Sequence, residues 1–136
     1  MSLSEQDPES RSVVPGHRVL IVDDDAALRE QLSAYLPRQG IDCSFVADST
    51  EALSALAAQR PAVVLLDVQL PDMSGLALAA QIAAMRPRPR IVLMSGYDDA
   101  VCAAKQSNIE VFAVIEKPVP LRTVARTLQQ ALQRSP

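Results

Sequence analysis

At 136 residues, 49% of them hydrophobic, the chain has the length of one domain and enough apolar material for an ordinary core. A net charge of −3 leaves no basic footprint for nucleic acid, and no apolar run reaches the roughly 18 residues of a membrane span or the layout of a signal peptide. The two cysteines, Cys43 and Cys102, lack metal-ligand spacing and are not needed to staple a fold of this size, so a reducing cytoplasm is the expected compartment.

Residues 1–16 are rich in Ser, Glu and Pro without any period and read as a mobile extension, with the domain expected over 17–136. From His17 onward, short β-branched runs alternate with segments of helical period, the sequence form of a parallel sheet covered on both faces. The first strand is predicted over 18–22. The first helix follows over 26–36, with Leu28, Leu32, Tyr35 and Leu36 on one stripe and a stop near Pro37 and Gly40. A second strand over 41–46 leads to a helix over 49–59, capped by Asp48 or Ser49 and stopped by Pro61. The third strand, 62–66, precedes a helix over 75–85; the fourth, 90–94, precedes a helix over 98–107. A fifth strand over 111–115 leads to a last helix over 120–133 that opens with proline at its first position. That helix sets Leu121, Val124, Ala125, Leu128, Ala131 and Leu132 along one face. Five such units make a doubly wound α/β sandwich.

Ligands of open α/β sheets bind beyond the carboxyl ends of the strands, and the polar residues of this chain gather there. Strand one ends in Asp23, Asp24 and Asp25, strand three in Asp67, strand four in Ser95, and strand five in Glu116 and Lys117. Asp25 alone would suffice to cap the following helix, so Asp23 and Asp24 are expected deeper, beside Asp67. Two carboxylates about 5 Å apart repel by about 3 kcal/mol at an effective dielectric of 20, so three together call for a cation or raised pKa values. Hard oxygen ligands open to water favour Mg²⁺. Asp67 by itself could simply start a turn, and Lys117 by itself would be a solvated surface lysine. Together with the Ser95 hydroxyl they form a set suited to holding a phosphoryl group. His17, the single histidine, reads as structural.

The residues Leu20-Ile21-Val22-Asp23-Asp24-Asp25, Leu65-Leu66-Asp67-Val68-Gln69-Leu70-Pro71-Asp72-Met73-Ser74-Gly75, Val92-Leu93-Met94-Ser95-Gly96 and Glu116-Lys117-Pro118 lie in the order and spacing of a known family. Over about 18–133, nearly all of its length, the chain resembles the receiver domains of two-component response regulators, of the chemotaxis-regulator type. The resemblance implies a flavodoxin-like (βα)5 fold with strand order 2-1-3-4-5. It makes Asp67 the phosphoacceptor, Asp23 and Asp24 the acidic pair for Mg²⁺, and the Gln69 backbone carbonyl a further metal ligand. Ser95 takes the switch-hydroxyl position, and Gly96 leaves room for the phosphate. Lys117 pairs with the acyl phosphate, its bond to Pro118 being cis in the family. One position departs: the aromatic residue usual three places before the lysine is Val114 here, with Phe112 two residues earlier.

The implied role is that of a signalling domain rather than an enzyme, catalysing only its own phosphorylation and slow dephosphorylation. Its donor would be a histidine kinase or phosphotransfer protein. Its output would be a face made by the fourth helix, fifth strand and last helix, offered to a downstream protein or a fused output domain. Gln69 and Tyr97 flank the phosphate route and read either as tuning residues or as ordinary loop and helix-start residues. Arg122, Arg126 and Arg134 read as a solvated face or as a partner or phosphorylation-dependent dimer surface. Alternatives are the receiver fragment of a longer DNA-binding regulator, a hydrolase of the haloacid dehalogenase type, and a receiver-like domain that no longer accepts phosphate. The hydrolase needs a second Asp where Gln69 stands, and the inactive domain sits poorly with a complete set of competent groups.

Overall fold

A computed structural model describes residues 18–96 and 109–133. Five strands, β1 (Val19–Val22), β2 (Cys43–Val46), β3 (Val63–Asp67), β4 (Arg90–Ser95) and β5 (Ala113–Glu116), form one sheet in the order β2-β1-β3-β4-β5. All pairings are parallel. Among the described residues, four α-helices accompany them: α1 (Ala26–Tyr35), α2 (Ser49–Gln59), α3 (Gly75–Ala83) and α4 (Leu121–Gln133). The expected extension over 1–16 and the expected helix over 98–107 lie outside the described residues.

β1 and β3 are buried along their whole length, as continuous Val-Leu-Ile runs must be when both faces are covered. Alternation divides their side chains between two half-cores. Val19, Ile21, Val63 and Leu65 point toward α1 and α4, where Leu32, Leu36, Val124 and Leu128 meet them. Leu20, Val22, Val64 and Leu66 point toward α2 and α3, against Leu56, Leu78 and Ile82.

Local chemistry sets the helix ends. The Asp25 carboxylate caps α1 by accepting from the backbone N–H groups of Ala27 and Leu28 at 3.0 and 3.2 Å, and Asp48 caps α2 by accepting from Glu51 N at 2.8 Å. Ser74 caps α3. α2 ends where Arg60 turns left-handed, φ 48°, ahead of Pro61.

Several boundaries differ from the expectation by one or two residues. β2 begins at Cys43 rather than 41, because Ile41 packs into the core while its N–H bonds Leu36 O across the turn. β5 runs over Ala113–Glu116 rather than 111–115. Phe112 falls just before the regular strand and packs with the α1/α4 half-core, its ring 5.6 Å from the Arg90 guanidinium carbon. Val114 packs toward the α2/α3 side. Phe112 therefore does not stand in for an aromatic residue at position 114.

Candidate functional site

Strand register brings the polar tips together. Val22 pairs with Leu66, so Asp23 and Asp67, the next residue on each strand, emerge side by side. Asp67 in turn pairs with Met94, Ser95 pairs with Glu116, and the N–H of Lys117 donates to Ser95 O at 2.8 Å. Four strands thus deliver one cluster of groups to the carboxyl edge of the sheet, where such folds bind ligands.

Asp23 and Asp67 are almost fully buried, at 2% and 4% exposure, whereas Asp24 is exposed. The expectation that Asp24 lies as deep as Asp23 is corrected here, because the chain leaves the sheet at this point and turns toward the α1 cap. Asp24 still reaches the cluster: one carboxylate oxygen from each of Asp23, Asp24 and Asp67 lies within 4.8 Å of the others.

The Lys117 ammonium donates to Asp67 Oδ2 at 2.7 Å and stands 3.7 Å from Asp23 Oδ2. Burial alone would lower the Lys117 pKa, but the hydrogen bond and charge of Asp67, with the charges of Asp23 and Asp25, outweigh it and raise it. Lys117 is therefore a fixed cation at neutral pH. Its bond to Pro118 is cis, as the resemblance implies.

One ammonium does not neutralise three carboxylates. Burial is the main cause that lifts Asp23 from 3.8 to about 6, opposed by the Asp25 N–H bonded to Oδ1 at 2.8 Å and reinforced by the charge of Asp67. Asp23 Oδ2 is buried without a hydrogen bond. A buried carboxylate oxygen with no hydrogen bond, beside two more carboxylates, is a donor set suited to a hard divalent cation.

Asp67 Oδ1 accepts from the backbone N–H of Gln69 at 2.9 Å, which orients the carboxylate. Gln69 is exposed. Ser95 is buried, and its hydroxyl donates to Gly96 O at 3.2 Å rather than to Asp67. Tyr97 and Cys102 lie outside the described residues. Gly75 is obligatory at the foot of the loop, since a Cβ there would collide with Asp67 O and come within 2.6 Å of Val68 Cα.

Sequence reasoning assigned no role to Asp72, yet its carboxylate ties the loop after β3 to the start of α2. It accepts from the N–H and hydroxyl of Ser49 at 3.1 and 2.6 Å and from both groups of Thr50 at 3.3 Å. These bonds, led by the Ser49 hydroxyl, hold the Asp72 pKa down at about 2. Its partners lie 22 and 23 residues away, so no local spacing announces the contact.

Residues 19–129 match the family model described as the response regulator receiver domain. Among curated proteins, the DNA-binding transcriptional regulator NtrC of Salmonella typhimurium is 31% identical over 114 residues, covering 84% of this chain and 24% of its own length. The DNA-binding response regulator MtrA of Mycobacterium tuberculosis is 33% identical over 118 residues, covering 87% of this chain and 51% of its own. The chain thus spans about a quarter and about half of these relatives. Among solved structures, a CheY-like response regulator receiver domain protein from Methanospirillum hungatei superposes with a TM-score of 0.77 at 28% identity, over 88% of this chain and 96% of its own. The receiver domain of NtrX from Brucella abortus gives 0.76 at 29% identity, over 86% and 99%. With this sheet order, an acidic cluster at the strand tips and a family match over most of its length, the chain belongs to the response regulator receiver domain family.

Proposed function

We propose that Asp67 accepts a phosphoryl group from a histidine kinase or phosphotransfer protein, with Lys117 and a Mg²⁺ ion at Asp23, Asp24, Asp67 and the Gln69 carbonyl offsetting the negative charge. The observation that carries this reading is the Lys117 ammonium 2.7 Å from Asp67 Oδ2, set against a buried Asp23 whose own Oδ2 has no hydrogen bond. A carboxylate attacks a phosphate poorly because both are anionic, and positioning plus charge neutralisation supply most of the catalysis in phosphoryl transfer.

Each residue has a separable task. The Gln69 N–H holds Asp67 Oδ1, leaving Oδ2, now on Lys117, as the nucleophilic oxygen. As the O–P bond forms and the bond to the donor's nitrogen breaks, the Lys117 ammonium is placed to stay with the oxygens that gain charge. Magnesium, when bound, screens the carboxylates from the incoming phosphate. Ser95 releases its Gly96 bond to donate to the phosphoryl oxygen, and Gly96 keeps that approach open. The shift alters the surface around β5 and α4, offered to a downstream protein, an output domain or a second copy of the chain. With Val114 at the usual aromatic position, this coupling runs without an aromatic rotamer.

The test is incubation with acetyl phosphate and Mg²⁺, read by intact mass and by acid-stable trapping of the aspartyl phosphate. Wild type gains one phosphoryl group, while Asp67→Asn and Asp67→Ala gain none. Labelling of either variant to the wild-type extent refutes the assignment.

A second reading concerns the output. NtrC and MtrA are by name DNA-binding regulators longer than this chain, which supports a receiver that serves a DNA-binding domain in the same polypeptide. The length of the native open reading frame decides between that arrangement and a stand-alone module.

A further inference from the structure

The loop between β3 and α3 is held at its base and at its tip. At the base, Val68 N bonds Met94 O at 2.9 Å, Gly75 N bonds Val68 O at 2.6 Å, and Gln69 bridges Ser74. At the tip, the four contacts of Asp72 with Ser49 and Thr50 join the loop to α2. Gln69, whose carbonyl is the prospective metal ligand, belongs to the base, and the chain from it runs directly to the Asp72 tip.

Asp72 is not the primary cap of α2. Asp48 already occupies the cap, accepting from Glu51 N at 2.8 Å, while Glu51 Oε1 accepts from Ala47 N at 2.9 Å. Ala52 N bonds Asp48 O in the first regular turn. Asp72 accepts from the N–H groups of Ser49 and Thr50, and does so from another element. The Ser49 hydroxyl that meets it is itself buried, at 4% exposure, so the join is sheltered on one side.

We propose that Asp72 is a positioning residue for the phosphoacceptor pocket: by tying the loop tip to the N-terminus of α2 through Ser49, it fixes the Gln69 carbonyl for the divalent cation. The proposal rests on the reading of Asp23, Asp24, Asp67 and Gln69 as the Mg²⁺ site. Groups that orient a ligand without touching the metal commonly change affinity by about 10- to 100-fold when removed. With the tip released, the loop that carries Gln69 keeps only its base restraints, and the added freedom of its carbonyl must be given up on binding, which weakens the bound state.

The experiment is Mg²⁺ titration of the full chain by isothermal calorimetry, without any phosphodonor. Thermal melts of each variant keep the comparison well below unfolding. Asp72→Ala is expected to weaken Mg²⁺ about tenfold, and Asp72→Asn, which keeps an acceptor oxygen for Ser49, to recover most of that loss. Asp48→Ala removes the α2 cap but leaves the tie, so it lowers the melting temperature with Mg²⁺ affinity unchanged. Ser49→Ala carries the comparison if Asp72→Ala does not fold. Wild-type affinity in both Asp72→Ala and Ser49→Ala, or an equal loss in Asp48→Ala, overturns the positioning role while leaving the metal site standing. A wild-type chain that binds no Mg²⁺ overturns the metal site and the proposal with it.

Discussion

Asp23 is where the conflict between fold and function is sharpest. Its carboxyl is buried by its place at the end of β1 and raised to about 6, so the folded chain holds a proton that the unfolded chain, near 3.8, has already released. The linkage has a definite sign: the contribution to stability is complete below about pH 4 and is lost as pH rises through about 6. Its size is on the order of 2–3 kcal/mol. In chelator, urea denaturation of the wild type is therefore expected to show a falling stability contribution over this window that Asp23→Asn lacks, with the Asn variant the more stable at pH 7. Parallel pH profiles for the two proteins would remove burial as the cause. Destabilising charge of this kind is what a cation site stores, since a bound divalent ion makes the ionised form the favourable one.

Between β3 and α3 the chain must turn while keeping Asp67 in place, and Gly75 sets how tightly it does so. A methyl at that position falls on the Asp67 carbonyl and the Val68 backbone, neither of which can rotate away. Gly75→Ala is expected to cost about 2–4 kcal/mol, read as a lower urea midpoint at unchanged slope, and to impair phosphorylation because Asp67 shifts with the backbone. A neutral midpoint would mean the loop has slack. Such elements were legible in the sequence to different degrees. The helix α2 was readable at both ends because Asp48 and Pro61 act locally, and β1 and β3 because apolar runs between turns have few other uses in an α/β chain. The onset of β5 was not, since Val111, Phe112 and Ala113 are all apolar and only pairing with β4 decides which residue enters the ladder first. The Asp72 tie was illegible for a related reason: it joins residues on two elements, and only tertiary packing makes them neighbours.

For the molecule as a whole, the sheet separates two half-cores and gathers the acidic cluster at one edge, so the apolar packing lies apart from the candidate metal site. That division was readable from the sequence, because alternation along β1 and β3 assigns side chains to faces and the strand tips carry the acidic residues. What periodicity could not supply was depth: Asp24 is exposed although its neighbour Asp23 is buried, a difference set by where the backbone turns into α1. The same division yields a prediction. Mg²⁺ that binds the folded chain alone adds about 2.7 kcal/mol at 100 times its Kd, a rise in Tm of roughly 10 °C for a domain of this size. Leu128→Ala, deep in the α1/α4 half-core at 0% exposure, is expected to cost about 3 kcal/mol yet to leave the Mg²⁺ increment intact, because distant sites add. Asp67→Asn should do the opposite, shrinking the increment with little loss of core stability. Differential scanning calorimetry of the three proteins at matched Mg²⁺ reads both quantities. An increment reduced as much by Leu128→Ala as by Asp67→Asn would mean that metal binding draws on the packing of the whole molecule rather than on the sheet edge.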